Sequence, residues 1–186
     1  MIKSKGWDWK IVKDDIDCPW KIPSVESYYL LNRWENLNFK NFLDLGCGLG
    51  RHTVLFAENG FNVSGFDISK EGIRKTKEWL KNLDLKADLK VGDMLELPYE
   101  NECFDCILCR NVISHQDTEG VKQIIKELYR VLKNNGECYL TLGSKSTWGF
   151  KQDSWPLVDE NTRLRMEEGP EYKTVSYTHL TLPTIA

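Results

Sequence analysis

From Ser24 onward the apolar residues switch between a helical and a strand-like period. Val25, Tyr28, Leu31, Trp34 and Leu37 recur at helical spacing, which predicts a helix over 24–37 with Ser24 as its N-cap. Asn-Phe-Leu-Asp-Leu at 41–45 is a compact apolar run and predicts a strand. A helix over 49–59, closed by Gly60, follows it. The strand 61–66 leads to a helix that Ser69 can cap, with Ile73, Thr76 and Leu80 on one face. Strands are predicted at 87–91 and 103–109. The next helix, over 118–132, turns Val121, Ile124, Ile125, Leu128 and Leu132 inward, and Asn134-Asn135-Gly136 reads as its stop. A fifth strand covers 136–142, and residues 151–174 read as a polar stretch. Strands that alternate with helices predict an α/β fold, a Rossmann-like parallel sheet with helices on both faces. Ligands of such sheets bind at the carboxyl ends of the strands, beside the point where the strand order reverses. That rule directs attention to 44–50, Asp67, Asp93, Met94 and 110–115.

Composition narrows the picture. The 186 residues suit one domain, and 25 Lys and Arg against 28 Asp and Glu give a net charge of −3. That balance argues against a nucleic-acid partner, which needs a basic stripe. No apolar run reaches the roughly 18 residues of a membrane span. The amino terminus has no apolar signal region, so no membrane partner and a cytoplasmic location are expected. Six cysteines fit that location as reduced thiols. Cys103, Cys106 and Cys109 have a C-x-x-C-x-x-C spacing that invites a metal reading. Along a strand, however, a spacing of three sends successive side chains to opposite faces, so they cannot converge, and no metal site is expected.

Gly46, Gly48 and Gly50 follow a buried strand and open a helix, which lets the backbone approach a ligand closely. The dinucleotide fingerprint G-x-G-x-x-G would place its third glycine at position 51, where Arg51 stands. Asp67 ends the next strand, where a carboxylate can accept from both hydroxyls of a ribose. The pattern therefore points to a nucleoside rather than to a nicotinamide dinucleotide. Cys47, between glycines and with no histidine paired to it in sequence, reads as a small filler and not a nucleophile.

The loop Asp44-Leu45-Gly46-Cys47-Gly48-Leu49-Gly50, the carboxylate in Gly-Phe-Asp-Ile-Ser, the stretch from Gly92 to Pro98 and the run from Phe104 to His115 together resemble class I S-adenosylmethionine-dependent methyltransferases. The resemblance covers about residues 24–142. It implies that Gly46, Cys47, Gly48 and Gly50 lie against the methionine moiety of S-adenosylmethionine, with Asp44 supporting the loop. It further implies Asp67 on the ribose, Ile68 beside the adenine, Asp93 accepting from the adenine amino group, Met94 against the ring and Asn111 at the methionine end. Taken alone, Asp44 and Asp67 could be polar strand ends, and Asp93 a turn former.

The activity so implied is methyl transfer from S-adenosylmethionine to a small-molecule acceptor. The alternative is a non-catalytic protein that binds S-adenosylmethionine or S-adenosylhomocysteine. His115 is the candidate general base, against a structural histidine near a helix start. Arg110 can pair with an acidic substrate or with a nearby carboxylate. Trp7, Trp9, Trp20, Tyr28, Tyr29, Trp148, Phe150 and Trp155 are candidates for an acceptor cap, or for the core of a lid. Asn111-Val112-Ile113 lacks the proline pair of nucleic-acid amino-methylating enzymes, which favours a small acceptor. Oligomeric state is left open.

Residues 1–174 are expected to form one domain: an aromatic segment and helix to 40, a cofactor core over 41–143, and a cap over 144–174. The sixth and seventh strands usual in the family are expected to be missing or replaced, leaving a sheet edge uncovered. Residues 175–186 lack Asp, Glu, Lys and Arg. Val175 to Thr184 resemble a translated adapter from transposon-based sequencing libraries and are expected to be non-native. Their strand propensity is high all the same.

Overall fold

A computed structural model describes residues 7–10, 12, 18–146, 150–151, 155–165 and 172–177. Strands β1 (Asn41–Leu45), β2 (Asn62–Asp67), β3 (Asp88–Val91), β4 (Phe104–Cys109) and β5 (Leu132–Leu140) form one sheet in the order β3-β2-β1-β4-β5. Every neighbouring pair in it is parallel. The chain order reverses between β1 and β4, which makes their carboxyl ends the place for a ligand.

Helices α1 (Val25–Asn36) and α2 (Arg51–Glu58) cover one face of the sheet. There Leu30, Leu31, Trp34, Leu55 and Phe56 pack with Phe42, Val63, Cys106 and Leu108. The Phe42 and Phe56 rings stack with centroids 3.9 Å apart, and each fully buried aromatic contributes about 2–3 kcal/mol. Glu137 accepts from Trp34 Nε1 at 2.9 Å and from Arg33 Nε at 2.8 Å, which pins α1 to β5. Helix α3 (Lys70–Asn82) packs beside α2 against β2 and β3. Its N-cap is Ser69, whose hydroxyl accepts from Gly72 N at 3.2 Å. Helix α4 (Thr118–Val131) covers the opposite face through Val121, Ile124, Leu128 and Val131. The three cysteines of the CxxCxxC run alternate as predicted. Cys103 and Cys109 pack on the α4 side, Cys106 on the α1 side.

Four local expectations differ from the structure. Ser24 sits at the N-cap of α1 without a side-chain cap bond; its N–H donates instead to His52 Nε2. Helix α2 begins at Arg51 rather than at 49, because Gly50 is left-handed at φ 86° and a helix cannot run through it. Asn134-Asn135-Gly136 does not separate α4 from β5. The strand starts at Leu132, paired with Phe104, and the ladder resumes at Glu137 opposite Cys106 after a bulge that includes Asn135 at φ 65°.

The fourth difference lies beyond β5. A second sheet forms there from β6 (Gly143–Ser144), β7 (Leu157–Asp159), β8 (Thr162–Arg165) and β9 (Tyr172–Tyr177), in the order β6-β9-β8-β7, with β7, β8 and the start of β9 in the stretch read as polar. Asp159 fixes it to the start of α4, accepting from Thr118 N at 3.1 Å and Thr118 Oγ1 at 2.9 Å. Strand β9 runs through position 175 into the segment expected to be non-native and pairs with both β6 and β8. The rest of that segment, 178–186, lies outside the described residues. In the main sheet β5 pairs with β4 alone among the described strands.

Candidate active site

The carboxyl ends of β1, β2 and β4 open into one cavity of about 320 Å³. Its base is the turn from β1 into α2. Gly46 N and Cys47 N both donate to Phe66 O, at 2.7 and 3.1 Å, which ties the turn to β2. Gly46 is left-handed at φ 75°, and a Cβ there would sit 2.3 Å from Val112 Cγ2. A Cβ at Gly48 would meet the Trp9 ring at 2.6 Å. The glycines therefore satisfy both backbone shape and close approach. Thr76 Oγ1 donates to Gly48 O at 3.0 Å and holds the turn from the α3 side.

Two carboxylates brace this turn in different ways. Asp44 is 2% exposed and accepts from Thr53 Oγ1 at 2.7 Å. Burial pushes its carboxyl up to about 6. Asp67 accepts from Gly48 N at 2.8 Å and from Ser69 N at 2.7 Å, so it bridges the β1–α2 and β2–α3 turns. Burial raises its pKa while these two bonds lower it. Each Asp67 oxygen keeps a further acceptor position. Burial raises the Cys47 thiol well above its ordinary value, so it is a neutral filler and not a nucleophile.

Of the residues singled out from sequence, Asp44, Gly46, Cys47, Gly48, Asp67, Ile68, Met94, Arg110, Asn111 and His115 line the cavity. Gly50 does not reach its wall; it is the N-cap of α2, packed against Thr76. Asp93 does not reach it either, and its Oδ1 accepts from Leu95 N at 3.1 Å within its own turn. Asn111 is left-handed at φ 58° and bound to the end of β5, its N–H donating to Thr141 Oγ1 at 2.7 Å. His115 ends a short 3-10 turn, Ile113–His115, that lies beside β9.

The aromatic residues divide. Trp7, Trp9 and Trp20 line the cavity, with ring centroids 5.7–6.4 Å apart. Lys75 Nζ donates to Trp9 O at 3.0 Å and Val12 O at 3.1 Å, which holds this roof to α3. Tyr28 and Tyr29 are 52% and 67% exposed and stand away from the cavity. Trp155 is buried, and Phe150 lies 5.4 Å from the Lys145 and Arg163 cations. Neither lines the cavity, and Trp148 lies outside the described residues.

Sequence reasoning gave no role to Arg51, His52 and Gln116, which also line the cavity. His52 accepts from Ser24 N at 3.3 Å, and burial drives its pKa down to about 3, so it is a neutral acceptor that anchors α1. Its partner lies 28 residues upstream, and no local pattern signals that contact. Arg51 sits by the Trp20 ring and donates to Ile22 O at 3.3 Å. Arg110 Nε lies 3.6 Å from Glu26 Oε2.

Comparisons with known proteins place the chain in a family and match its fold. Residues 42–136, about half of the chain, match the methyltransferase domain family. A demethylmenaquinone methyltransferase of Lactobacillus johnsonii is 27% identical over 164 residues, covering 79% of this chain and 66% of the relative. A norajmaline N-methyltransferase of Rauvolfia serpentina is 38% identical over 96 residues, covering 50% and 32%. The matched stretch thus spans between about one third and two thirds of these relatives. A solved SAM-dependent methyltransferase from Methanosarcina mazei superposes with a TM-score of 0.61 at 26% identity, covering 74% of this chain and 73% of the other.

Proposed function

The chain belongs to the methyltransferase domain family, and from that membership we propose that it transfers a methyl group from S-adenosylmethionine to a small-molecule acceptor. The observation that carries this reading is Asp67. Its carboxylate ends β2 in the wall of the glycine-turn cavity, is fixed by Gly48 N and Ser69 N, and keeps acceptor positions suited to ribose hydroxyls. At Gly46 and Gly48 the turn carries no side chain of its own, so Val112 and the Trp9 ring close directly on its backbone at the edge of the cavity.

In this reading Ile68 and Met94 flank the adenine, and the turn at Gly46, Cys47 and Gly48 holds the methionine portion together with Asn111. Asp44 supports the turn from below, Gly50 sets its exit into α2, and Asp93 shapes the turn that presents Met94. When bound, S-adenosylmethionine supplies an electrophilic methyl group on a sulfonium. The chain's own contribution is alignment and exclusion of water, the latter by Trp7, Trp9 and Trp20. His115 takes the proton of a hydroxyl acceptor as the new bond to carbon forms. The six free cysteines support a reducing compartment, and we place the protein in the cytoplasm. No helix among the described residues is long and apolar enough to cross a membrane.

The test is transfer of a labelled methyl group from S-adenosylmethionine to a panel of small hydroxyl, amine and carboxylate compounds. A labelled product that forms with S-adenosylhomocysteine supports the reading, and His115→Gln then lowers kcat on a hydroxyl acceptor about a hundredfold. Tight cofactor binding without transfer to any compound supports the non-catalytic alternative.

A further inference from the structure

The methyl-donor reading uses the β2 side of the cavity and leaves its cationic side, between β1 and β4, without a role. Two guanidiniums line that side, Arg51 at the start of α2 and Arg110 just past β4. Arg110 Nε is shielded from solvent and has no hydrogen-bond partner among the described residues. Its ionic neighbour, Glu26, is 3.6 Å away, beyond hydrogen-bond length, on a side chain that is 45% exposed. Among the described residues the Arg51 side chain has a single hydrogen bond, to Ile22 O at 3.3 Å. Asp44, the other nearby acid, is engaged by Thr53. Burial and the repulsion of Arg110 both lower the pKa of Arg51, ahead of the attraction from Asp44 and Glu26. The Arg110 side chain keeps 22% exposure, so its charge stays partly solvated, but the shielded Nε–H is completed by no acceptor among the described residues, and a guanidinium fork matches a carboxylate. Trp20 lies beside Arg51 in the same wall and offers a flat apolar surface.

We propose that Arg110 and Arg51 form a carboxylate-binding subsite for the methyl acceptor, which is then a flat apolar molecule bearing a carboxylate. This rests on the methyltransferase reading and deepens it. The probe is benzoate, with benzamide as its neutral counterpart, titrated into the full chain saturated with S-adenosylhomocysteine and followed by tryptophan fluorescence. The expected result is a preference for benzoate of about tenfold, as a charge-assisted bidentate bond supplies. Arg110→Met abolishes the preference and keeps S-adenosylhomocysteine affinity within about twofold, while Arg110→Lys retains part of it. Arg51→Gln, at the other end of the subsite, weakens the preference and keeps the test decisive if Arg110→Met does not fold.

Equal binding of benzoate and benzamide to the wild type overturns the proposal, as does a preference that survives in every variant. It is equally overturned if Arg110→Met weakens S-adenosylhomocysteine about tenfold but leaves methylthioadenosine unchanged, since the guanidinium then serves the amino-acid end of the cofactor. If the wild type binds no S-adenosylhomocysteine, the methyl-donor reading fails. The comparison of benzoate with benzamide, repeated on the unloaded chain, still decides the subsite.

Discussion

The two sides of the cavity are built differently. On the proposed donor side, β1, β2 and their turns present mainly backbone to the cavity. Gly46, Gly48, Phe66 O and the Asp67 bridge fix one another within a short stretch of chain. On the proposed acceptor side, Trp7, Trp9 and Trp20, Arg51, Arg110 and the turn bearing His115 come from distant segments, and long side chains form the wall. Backbone recognition restricts which residue types a position tolerates. Side-chain recognition leaves the types open and varies with the ligand. The family match spans 42–136: it takes in the glycine turn and Asp67 together with Arg51, Arg110 and the turn bearing His115, and stops short of the tryptophan roof and the second sheet.

The largest expected effect tests that contrast directly. Gly46→Ala places a Cβ 2.3 Å from Val112 at a left-handed backbone position. It should weaken S-adenosylhomocysteine binding by about 3 kcal/mol or more and destabilise the fold by about 2–3 kcal/mol. Val158→Ala, half-exposed in the second sheet, should leave affinity unchanged and cost less than about 0.5 kcal/mol. Calorimetry and thermal melts of the two variants measure this, and similar losses in both would erase the distinction.

Next in size is Asp67→Ala, which removes the bridge and any ribose contact and should weaken S-adenosylhomocysteine binding by about 1–3 kcal/mol. The free N–H groups of Gly48 and Ser69 should lower the melting temperature as well. An unchanged dissociation constant would sink the ribose assignment.

Two buried groups should give opposite pH signatures. Asp44 has a folded pKa of about 6, above its ordinary 3.8, so the folded chain gains a proton first and stability from this group rises as pH falls below 6. His52 has a folded pKa of about 3, below its ordinary 6.5, so its stabilisation is complete above 6.5 and is lost as pH falls toward 3. Between about pH 6 and pH 5, Asp44→Asn should steepen the acid loss of stability by up to about 1.4 kcal/mol per pH unit, and His52→Gln should relieve it by a similar amount. Denaturant melts across that window check both slopes, and shifts of the same sign would contradict the assignments.

The smallest effect belongs to Asp93. Its carboxylate serves Leu95 N, so Asp93→Ala should weaken S-adenosylhomocysteine binding less than about threefold. A loss as large as that of Asp67→Ala would restore the adenine contact that the family resemblance implies.

What could be read from the chain follows the same division. The sheet, the glycine turn, the Asp67 strand end and the Ser69 cap were legible because local periodicity and short-range hydrogen bonding determine them. The second sheet was legible only in the strand propensity of the segment from 175, into which β9 runs: its anchor joins Asp159 to Thr118, 41 residues apart, and β7 and β8 carry no alternating apolar pattern. His52 was invisible for the same reason. The bulge in β5 was misread because Asn-Asn-Gly has the chemistry of a helix stop as well as of a bulge. The tryptophans were recognisable as a group, but only folding sorts Trp7, Trp9 and Trp20 into the wall and Tyr28 and Tyr29 into solvent.

The central claim is that a glycine turn with a carboxylate at the end of β2 makes this cavity a sulfur-nucleoside site. Calorimetric titration of S-adenosylmethionine, S-adenosylhomocysteine and NAD into the full chain tests it most directly. The account predicts one-to-one binding of both sulfur nucleosides and none of NAD. Binding of NAD, or of none of the three, would contradict it.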